Sequence, residues 1–188
     1  MRYVLIFVLG GLMLAGTVAL AQDRGAGRKA AGMCRTCHGL DGYAKIPIAP
    51  HIGGEPAAYI EAQLRAFRSG ERQHEMMTVV ARSLSDEQIV DLAAWYAGHT
   101  AAATAEQPEA APRSCTACHG MDGLSKAEDA PHLAGEANIY IDTQLKAFKR
   151  GKREHEIMSE IAAALDDEEI REIADYYAAI DLEITQVD

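Results

Sequence analysis

The sequence predicts an all-α protein made of two similar units, and three observations lead to this fold class. The pattern C-x-x-C-H occurs twice, at positions that lie 81 residues apart. The residues that follow each copy repeat at the same spacing without an insertion. Apolar residues in both copies recur at helical intervals, and no useful stretch alternates with the period of two that a strand requires. We therefore expect a tandem duplication in which each unit folds as a few short helices.

The start of the chain predicts export from the cytoplasm. Residues 1–21 carry a basic residue at position 2, continue with a long apolar run and end in the small-x-small tripeptide Ala19, Leu20, Ala21. This order is typical of a secretory signal peptide that is cleaved after Ala21. We expect a periplasmic protein. A membrane-anchored protein facing the periplasm is the alternative, because the apolar run is nearly long enough to span a bilayer.

Composition and length indicate two domains joined by a linker. The predicted first domain covers residues 22–97, the linker residues 98–113 and the second domain residues 114–188. The linker is rich in alanine, contains Pro108 and Pro112, and lacks apolar periodicity. Its alanine-rich portion favours some helix.

Helix boundaries can be assigned from local signals within each unit. The segment "AAYIEAQLRAFRSG" has a helical apolar face and ends at Gly70, which is a typical C-terminal stop. The next helix begins with the capping box of Ser85 and Gln88, and its second copy begins with Asp166 and Glu169. A further helix, "DRGAGRKAAGMC", leads into the first cysteine motif.

The two C-x-x-C-H motifs predict covalent attachment of haem c. One helical turn presents two thiols to the two vinyl groups of a porphyrin, and the following histidine becomes the proximal iron ligand. The predicted attachment residues are Cys34, Cys37, Cys115 and Cys118, and the predicted proximal ligands are His38 and His119. A haem in each unit would also fill the centre of a small core that has few aromatic residues.

Other chemistries use the same residue types. The four cysteines of an exported protein could form disulfides, but this would leave both histidines unexplained. A thioredoxin-like redox pair needs a βαβ context that is missing here, and a structural zinc site normally comes with tight ligand loops.

The sixth iron ligand has several candidates in each copy. Met77 aligns with Met158 at the 81-residue spacing, whereas Met76 faces Ile157. Histidines also repeat at this spacing, and we interpret them first as polar loop residues near the haem, with axial ligation as the alternative for the later pair. These histidines are His51 and His132, and His74 and His155.

Taken in order, the motifs resemble those of class I cytochromes c of the dihaem cytochrome c4 type. The shared runs are "C-x-x-C-H-G-x-D-G", "A-P-H-[IL]-x-G-E", "Y-I-x-x-Q-L-x-A-F-x-x-G-x-R" and "H-E-x-M". The resemblance covers both units and implies two cytochrome c domains, each wrapped around a covalent haem. It implies the axial pairs His38 with Met77 and His119 with Met158.

The resemblance also implies a partner for each proximal imidazole. In this family a proline carbonyl accepts a hydrogen bond from the histidine, and the matching residues here are Pro50 and Pro131. One departure concerns the first helix, where Gly27 corresponds to Pro108 in the second copy. We therefore expect a shortened leading helix in the second domain.

These features favour an electron-transfer protein over an enzyme. Methionine ligation fills the site that a peroxidase would keep open, so a dihaem peroxidase is the less favoured alternative. We expect single-electron exchange with redox proteins: a respiratory donor complex or dehydrogenase on one side, and a terminal oxidase or reductase on the other. The closest alternative is a cytochrome subunit of a periplasmic dehydrogenase of the flavoprotein sulfide or quinoprotein alcohol type, which differs in partner rather than in chemistry.

Charge narrows the range of partners. The chain has 28 acidic and 18 basic residues, and its net charge of −10 excludes a nucleic-acid-binding role. It favours a partner with a basic docking patch, and any association with a membrane surface would come through that partner. Arg72 and Arg153 repeat at the 81-residue spacing, and we expect them either at solvated helix ends or paired with haem propionates.

Overall fold

The computed structural model describes residues 22–103 and 112–186, and within them the four helices of the second half repeat the order of the last four α-helices of the first. The first half contains α1 (Arg24–Ala30), a 3-10 turn (Ala31–Met33), α2 (Arg35–His38), α3 (Ala57–Ser69), α4 (Met77–Arg82) and α5 (Asp86–Ala97). The second half contains α6 (Arg113–His119), α7 (Asn138–Lys149), α8 (Glu156–Ala164) and α9 (Asp167–Ala178). The strands β1 (His99–Ala103) and β2 (Leu182–Gln186) form one antiparallel ribbon. The predicted all-α class is confirmed.

The helix ends confirm the predicted caps. The Ser85 hydroxyl accepts from the Gln88 N–H, and the Gln88 side chain accepts from the Ser85 N–H. Asp166 and Glu169 form the same reciprocal pair at the start of α9. Helix α3 ends at Gly70, whose φ of 90° is the left-handed conformation that glycine adopts without strain.

Each half has its own apolar core, formed where its two longest helices pack together. In the first half α3 packs on α5, and in the second α7 packs on α9. Tyr96 and its equivalent Tyr177 are fully buried at the centres of these cores. The first core also contains Ala31, Ile60, Leu84, Ile89, Leu92, Ala93 and Trp95; the second also contains Ala134, Ile141, Leu145, Ile170, Ile173, Ala174, Tyr176 and Ile180.

Helix α1 lies against α5 at a distance that only glycine permits. A Cβ atom on Gly27 would lie 2.0 Å from the backbone oxygen of Asp91 and 2.9 Å from the Cβ of Trp95. The Asp91 carboxylate also accepts from the N–H of Asp23, the N-cap of α1. In the second half the corresponding Pro108 lies outside the described residues, and the described part begins at Pro112, the N-cap of α6.

The ribbon joins the start of the predicted linker to the end of the second half. His99 pairs with Gln186 and Ala103 with Leu182, so the two strands run antiparallel. The prediction of helix in the alanine-rich linker is therefore wrong for residues 99–103. The strand forms because β2 offers Ile184 and Thr185, β-branched residues that favour extended backbone.

The predicted signal peptide, residues 1–21, lies outside the described residues. Among the helices in residues 22–103 and 112–186, none has the length and apolar character needed to cross a membrane.

Candidate haem sites and the contact between the halves

The four predicted attachment cysteines lie on equivalent helical turns. Cys34 and Cys37 lie at the junction of the 3-10 turn and α2, and Cys115 and Cys118 lie in α6. All four are unpaired thiols, which argues against the disulfide alternative. Before a haem is attached, burial raises the pKa of the Cys34 and Cys115 thiols.

The two histidines that are predicted to be proximal ligands are oriented by the proline carbonyls that the family resemblance implies. His38 Nδ1 lies 2.9 Å from the oxygen of Pro50, and His119 Nδ1 lies 2.8 Å from the oxygen of Pro131. A carbonyl only accepts hydrogen bonds, so Nδ1 carries the proton in both rings. Nε2 therefore keeps its lone pair, and neither Nε2 has a hydrogen-bond partner among the described residues. The two imidazoles are 7% and 5% exposed, and burial lowers their pKa.

A glycine directly after each histidine lets the chain turn sharply away from the attachment helix. Gly39 has a φ of 75° and Gly120 a φ of 79°. A Cβ on Gly39 would lie 2.4 Å from the Tyr43 oxygen, and one on Gly120 would lie 2.5 Å from the Leu124 oxygen. The glycine of the C-x-x-C-H-G motif is thus required by both backbone conformation and space.

The loop after each motif is fixed to the last helix of its half by an aromatic side chain. Trp95 Nε1 donates to the Leu40 carbonyl at 2.9 Å, and Tyr176 donates through its hydroxyl to the Met121 carbonyl, also at 2.9 Å. These donors and acceptors correspond at the 81-residue spacing. The sequence analysis did not single out these two residues, since a tryptophan and a tyrosine share no obvious role until both are seen to donate to equivalent loops.

The candidate sixth ligands separate by position and exposure. Met77 is the first residue of α4 and Met158 lies in the first turn of α8, and both are half-buried. Met158 packs against the second core. Met76, by contrast, is 62% exposed.

The competing histidines, His74 and His155, are exposed; His155 is the N-cap of α8, and His74 makes equivalent hydrogen bonds just before α4. His155 Nδ1 accepts from the N–H groups of Ile157 and Met158, each at 3.3 Å. His74 Nδ1 accepts from Met76 and Met77 at 3.3 and 3.4 Å. This geometry supports their interpretation as polar residues near the site.

His51 and His132 have a structural role that the sequence did not reveal. His51 Nδ1 accepts from the Ala44 N–H, so its Nε2 is protonated and donates to the Gly135 carbonyl of the other half at 3.0 Å. His132 repeats this arrangement between the Ser125 N–H and the Gly54 carbonyl. Both histidines therefore join the two halves, and burial lowers the pKa of both.

Two buried glutamates lie in the same contact region. Glu136 accepts from the His51 N–H at 2.8 Å, and Glu55 accepts from the His132 N–H at 3.0 Å. Burial raises the pKa of Glu55 to about 8. Burial and then the neighbouring Glu55 raise the pKa of Glu136 well above its ordinary value.

The repeated arginines also cross between the halves. Arg72 donates to Gln63 of its own half and to Gln144 of the other, at 2.6 and 2.8 Å. Arg153 donates to both of these glutamine oxygens, at 3.1 and 2.9 Å. The expectation of a solvated helix end is wrong for these two side chains. Their pairing with haem propionates stays a prediction.

The residues present fit a covalent haem. Each half offers two unpaired thiols and an oriented, neutral imidazole with a free Nε2, which is the donor set that haem c requires. Among residues 22–103 and 112–186, no three His, Cys, Asp or Glu side chains group so that they could hold a metal ion, which argues against a zinc site. The strands form an antiparallel ribbon, so a thioredoxin-like βαβ unit is also missing from the described residues.

Comparison with known proteins agrees with the geometry. Residues 105–179 match the family model described as "Cytochrome c", and residues 21–95 match that described as "Cytochrome C oxidase, cbb3-type, subunit III". The chain is 30% identical to a cytochrome c4 of Pseudomonas aeruginosa, over 94% of this chain and 98% of that protein. It is 32% identical to a thiosulfate dehydrogenase electron acceptor of Thiomonas intermedia, over 98% and 94% of the two chains.

Solved structures show the same architecture. Reduced recombinant cytochrome c4 from Pseudomonas stutzeri superposes with a TM-score of 0.76 at 26% identity, over 86% of this chain and 100% of that one. Thiosulfate dehydrogenase (TsdBA) from Marichromatium purpuratum gives a TM-score of 0.74 at 28% identity, over 85% of this chain and 40% of that one. The chain carries two covalently bound haem c groups and transfers electrons. It belongs to the cytochrome c4 family of dihaem cytochromes.

Proposed function

We propose that this cytochrome carries single electrons between respiratory redox proteins in the periplasm, through two haems with histidine and methionine ligands. The proposed axial pairs are His38 with Met77 and His119 with Met158. The observation that carries the proposal is the repeated orientation of the imidazoles, each of which uses Nδ1 for a proline carbonyl and leaves Nε2 free. Met77 and Met158 follow in the first turns of equivalent helices.

The proposed ligand set suits a carrier better than an enzyme. The haem iron supplies the one-electron chemistry, and a soft thioether ligand favours its ferrous form. The protein holds the imidazole rigidly through the Pro50 and Pro131 carbonyls, which limits the rearrangement that accompanies electron transfer. A methionine at each sixth position would leave no site for peroxide. Neither haem would then have the open position that a dihaem peroxidase requires.

Binding of carbon monoxide to the reduced holoprotein tests the methionine ligands. The unmodified protein is expected to bind none, because both sixth positions are filled. Met77→Ala and Met158→Ala should each bind one equivalent, at the first and second haem respectively. Met76→Ala is the matched control, since Met76 is an exposed neighbour of Met77. Binding by Met76→Ala, or by the unmodified protein, would contradict the proposal.

The proposed cellular arrangement follows from the sequence. Residues 1–21 would direct export and be removed, and residues 22–97 and 114–188 would form the two domains, joined by residues 98–113. The acidic surface charge suits donor and acceptor proteins with basic docking patches. Mass determination of the protein isolated from periplasm would check cleavage after Ala21 and the presence of two haems.

A second candidate role is that of electron acceptor for a dehydrogenase. It is favoured by the 32% identity to thiosulfate dehydrogenase electron acceptors, which extends over nearly the whole chain in the Thiomonas protein. The test is to mix the oxidised cytochrome with a thiosulfate dehydrogenase and thiosulfate, and to follow the reduction of both haems. Rapid reduction that depends on thiosulfate supports this role; reduction no faster than without the dehydrogenase excludes it for that enzyme.

A further inference from the structure

A single peptide group connects the proximal histidine of the first half to a carboxyl of the second. The carbonyl of the peptide between Pro50 and His51 accepts from His38 Nδ1 at 2.9 Å. The N–H of the same peptide donates to Glu136 Oε1 at 2.8 Å. These two hydrogen bonds form one continuous chain from the imidazole to the glutamate.

The second half has the equivalent arrangement. The Pro131 carbonyl accepts from His119 Nδ1 at 2.8 Å, and the N–H of the same peptide, that of His132, donates to both carboxyl oxygens of Glu55 at 3.0 Å. Each histidine is thus connected to a glutamate of the half to which it does not belong. We call this arrangement, in which the histidine of one half is linked to the glutamate of the other, the crossed connection.

Such a peptide can transmit charge. No cis peptide occurs among the described residues, so the C=O and N–H of each peptide point in opposite directions. The amide is delocalised, and hydrogen bonds in a chain polarise one another. An ionised carboxylate at the N–H end makes the carbonyl a stronger acceptor for the imidazole N–H. The imidazole then becomes a stronger donor through Nε2, which favours ferric iron.

The carboxyls lie where a charge is weakly screened. Glu55 and Glu136 are 4% and 3% exposed, and Oε2 of Glu136 is buried without a hydrogen-bond partner. The groups facing Glu136 are Glu55, His51 and Tyr140, and those facing Glu55 are His132 and Glu136. Beyond Tyr140 lie Tyr59, Arg72 and Arg153. Burial raises the pKa of both carboxyls towards physiological pH.

We propose that Glu136 is a positioning residue for the haem of the first half and Glu55 for the haem of the second, so that ionisation of each carboxyl lowers the reduction potential of the haem in the opposite half. This inference rests on the proposed function, because it takes His38 and His119 as iron ligands. The inference adds pH-dependent regulation to the proposed function, because a carboxyl of one half sets the reduction potential of the haem in the other half.

The test is a redox titration of the holoprotein followed by NMR, with the haem methyl resonances assigned to each half. The titration is repeated from below the ordinary pKa of a glutamate to above that of Glu55 at about 8. In the unmodified protein both potentials should fall as pH rises. Glu136→Gln should abolish the fall for the first haem and keep it for the second. Glu55→Gln, the matched variant, should show the reverse.

The low-pH end of the titration serves as an internal control. A glutamine resembles a protonated glutamate, so both variants should there match the unmodified protein at both haems. Loss of the pH-dependent fall at the haem of the variant's own half, or equally at both haems, would overturn the crossed connection. So would a fall that survives unchanged, or a shift of both potentials that is independent of pH, which indicates a merely structural role.

A second measurement needs no variant. In the reduced unmodified protein, the Nδ1 proton of His38 and the amide proton of His51 should shift with pH at one common midpoint, as should those of His119 and His132. Independent or absent shifts would overturn the inference. Binding of carbon monoxide to the unmodified protein would refute the proposed function itself. Two low-spin haems whose potentials do not respond to the glutamate of the opposite half would refute this inference alone.

Discussion

At the scale of single residues, the histidine beside each methionine illustrates how a potential ligand can act as a cap. His155 accepts from the N–H groups of Ile157 and Met158, and so fixes the start of α8, the helix that presents Met158. His74 does the same for the residues that begin α4. Each imidazole thereby holds the backbone of the methionine that follows it.

Replacement of His155 by alanine tests this role. We expect a loss of about 1 kcal/mol in the free energy of unfolding, which is typical of a lost N-cap, together with an unchanged low-spin spectrum of both haems. Chemical denaturation and the optical spectrum provide the two measurements. His74→Ala is the matched variant in the first half. A high-spin haem in either variant would instead identify that histidine as the axial ligand.

The sequence predicts the attachment residues better than the contact residues, for a physical reason. Two cysteines and a histidine must lie on one helical turn to hold a single haem, the thiols by bonding to the porphyrin and the imidazole by binding the iron. The spacing of Cys34, Cys37 and His38 is therefore itself the signal. His51 bonds to Gly135 and Glu136, which lie 84 and 85 residues further along the chain. No local spacing encodes such a contact, so the sequence showed only that the histidine repeats.

At the scale of secondary structure elements, the helices can be predicted from local signals, whereas the strands depend on contacts between distant residues. Capping boxes and Gly70 are local signals, and the structure confirms the helices that they predict. The strand at His99–Ala103 depends on a partner strand that lies 79 to 87 residues further along the chain, and its alanines have low strand propensity. The ribbon therefore could not be predicted from its own residues.

The packing of α1 on α5 predicts a sharp sensitivity at Gly27. An alanine there would place its Cβ 2.0 Å from the Asp91 oxygen, so α1 must move away from α5. We expect Gly27→Ala to lower the free energy of unfolding by about 1–3 kcal/mol, as overpacked substitutions do. Gly32→Ala is the control, because a Cβ at Gly32 meets nothing within 4 Å. Equal stability of the two variants in denaturant titrations would contradict the close packing.

At the scale of the whole molecule, the contact between the halves is built from paired, reciprocal hydrogen bonds. The bonds of His51 are repeated by His132, and those of Arg72 by Arg153. The halves therefore meet with approximate twofold symmetry, although they are joined in one chain. The duplicated sequence supplies both sides of the interface with the same residues, which explains why groups of no evident local function repeat so faithfully.

The buried glutamates make the stability of the molecule depend on pH. Burial raises the folded-state pKa of Glu55 to about 8 and that of Glu136 well above its ordinary 4.5. Groups with a raised pKa contribute stability below their unfolded pKa and lose it as pH rises. The folded-state pKa values of His51 and His132 are lowered, so these two histidines reduce the free energy of unfolding only below their ordinary pKa of 6.5. Between pH 6.5 and about 8 the effect of the glutamates on stability should therefore prevail.

We accordingly expect the free energy of unfolding of the holoprotein to fall as pH rises through this window, and to fall less steeply in Glu55→Gln. Denaturant titrations followed by circular dichroism at several pH values provide the measurement. Glu61→Gln is a suitable control, because the Glu61 side chain is 25% exposed and pairs with Arg65 within its own helix. A variant with the slope of the unmodified protein would show that Glu55 does not hold its proton in the folded state.

The most direct test of the account is the spectrum of the oxidised, unmodified protein. Two haems with histidine and methionine ligands should give two low-spin signals in electron paramagnetic resonance, together with the near-infrared charge-transfer band from methionine sulfur to ferric iron. Both features should be present at an intensity that corresponds to two haems per chain. A high-spin signal from either haem, or the absence of the near-infrared band, would contradict the account of two closed electron-transfer sites.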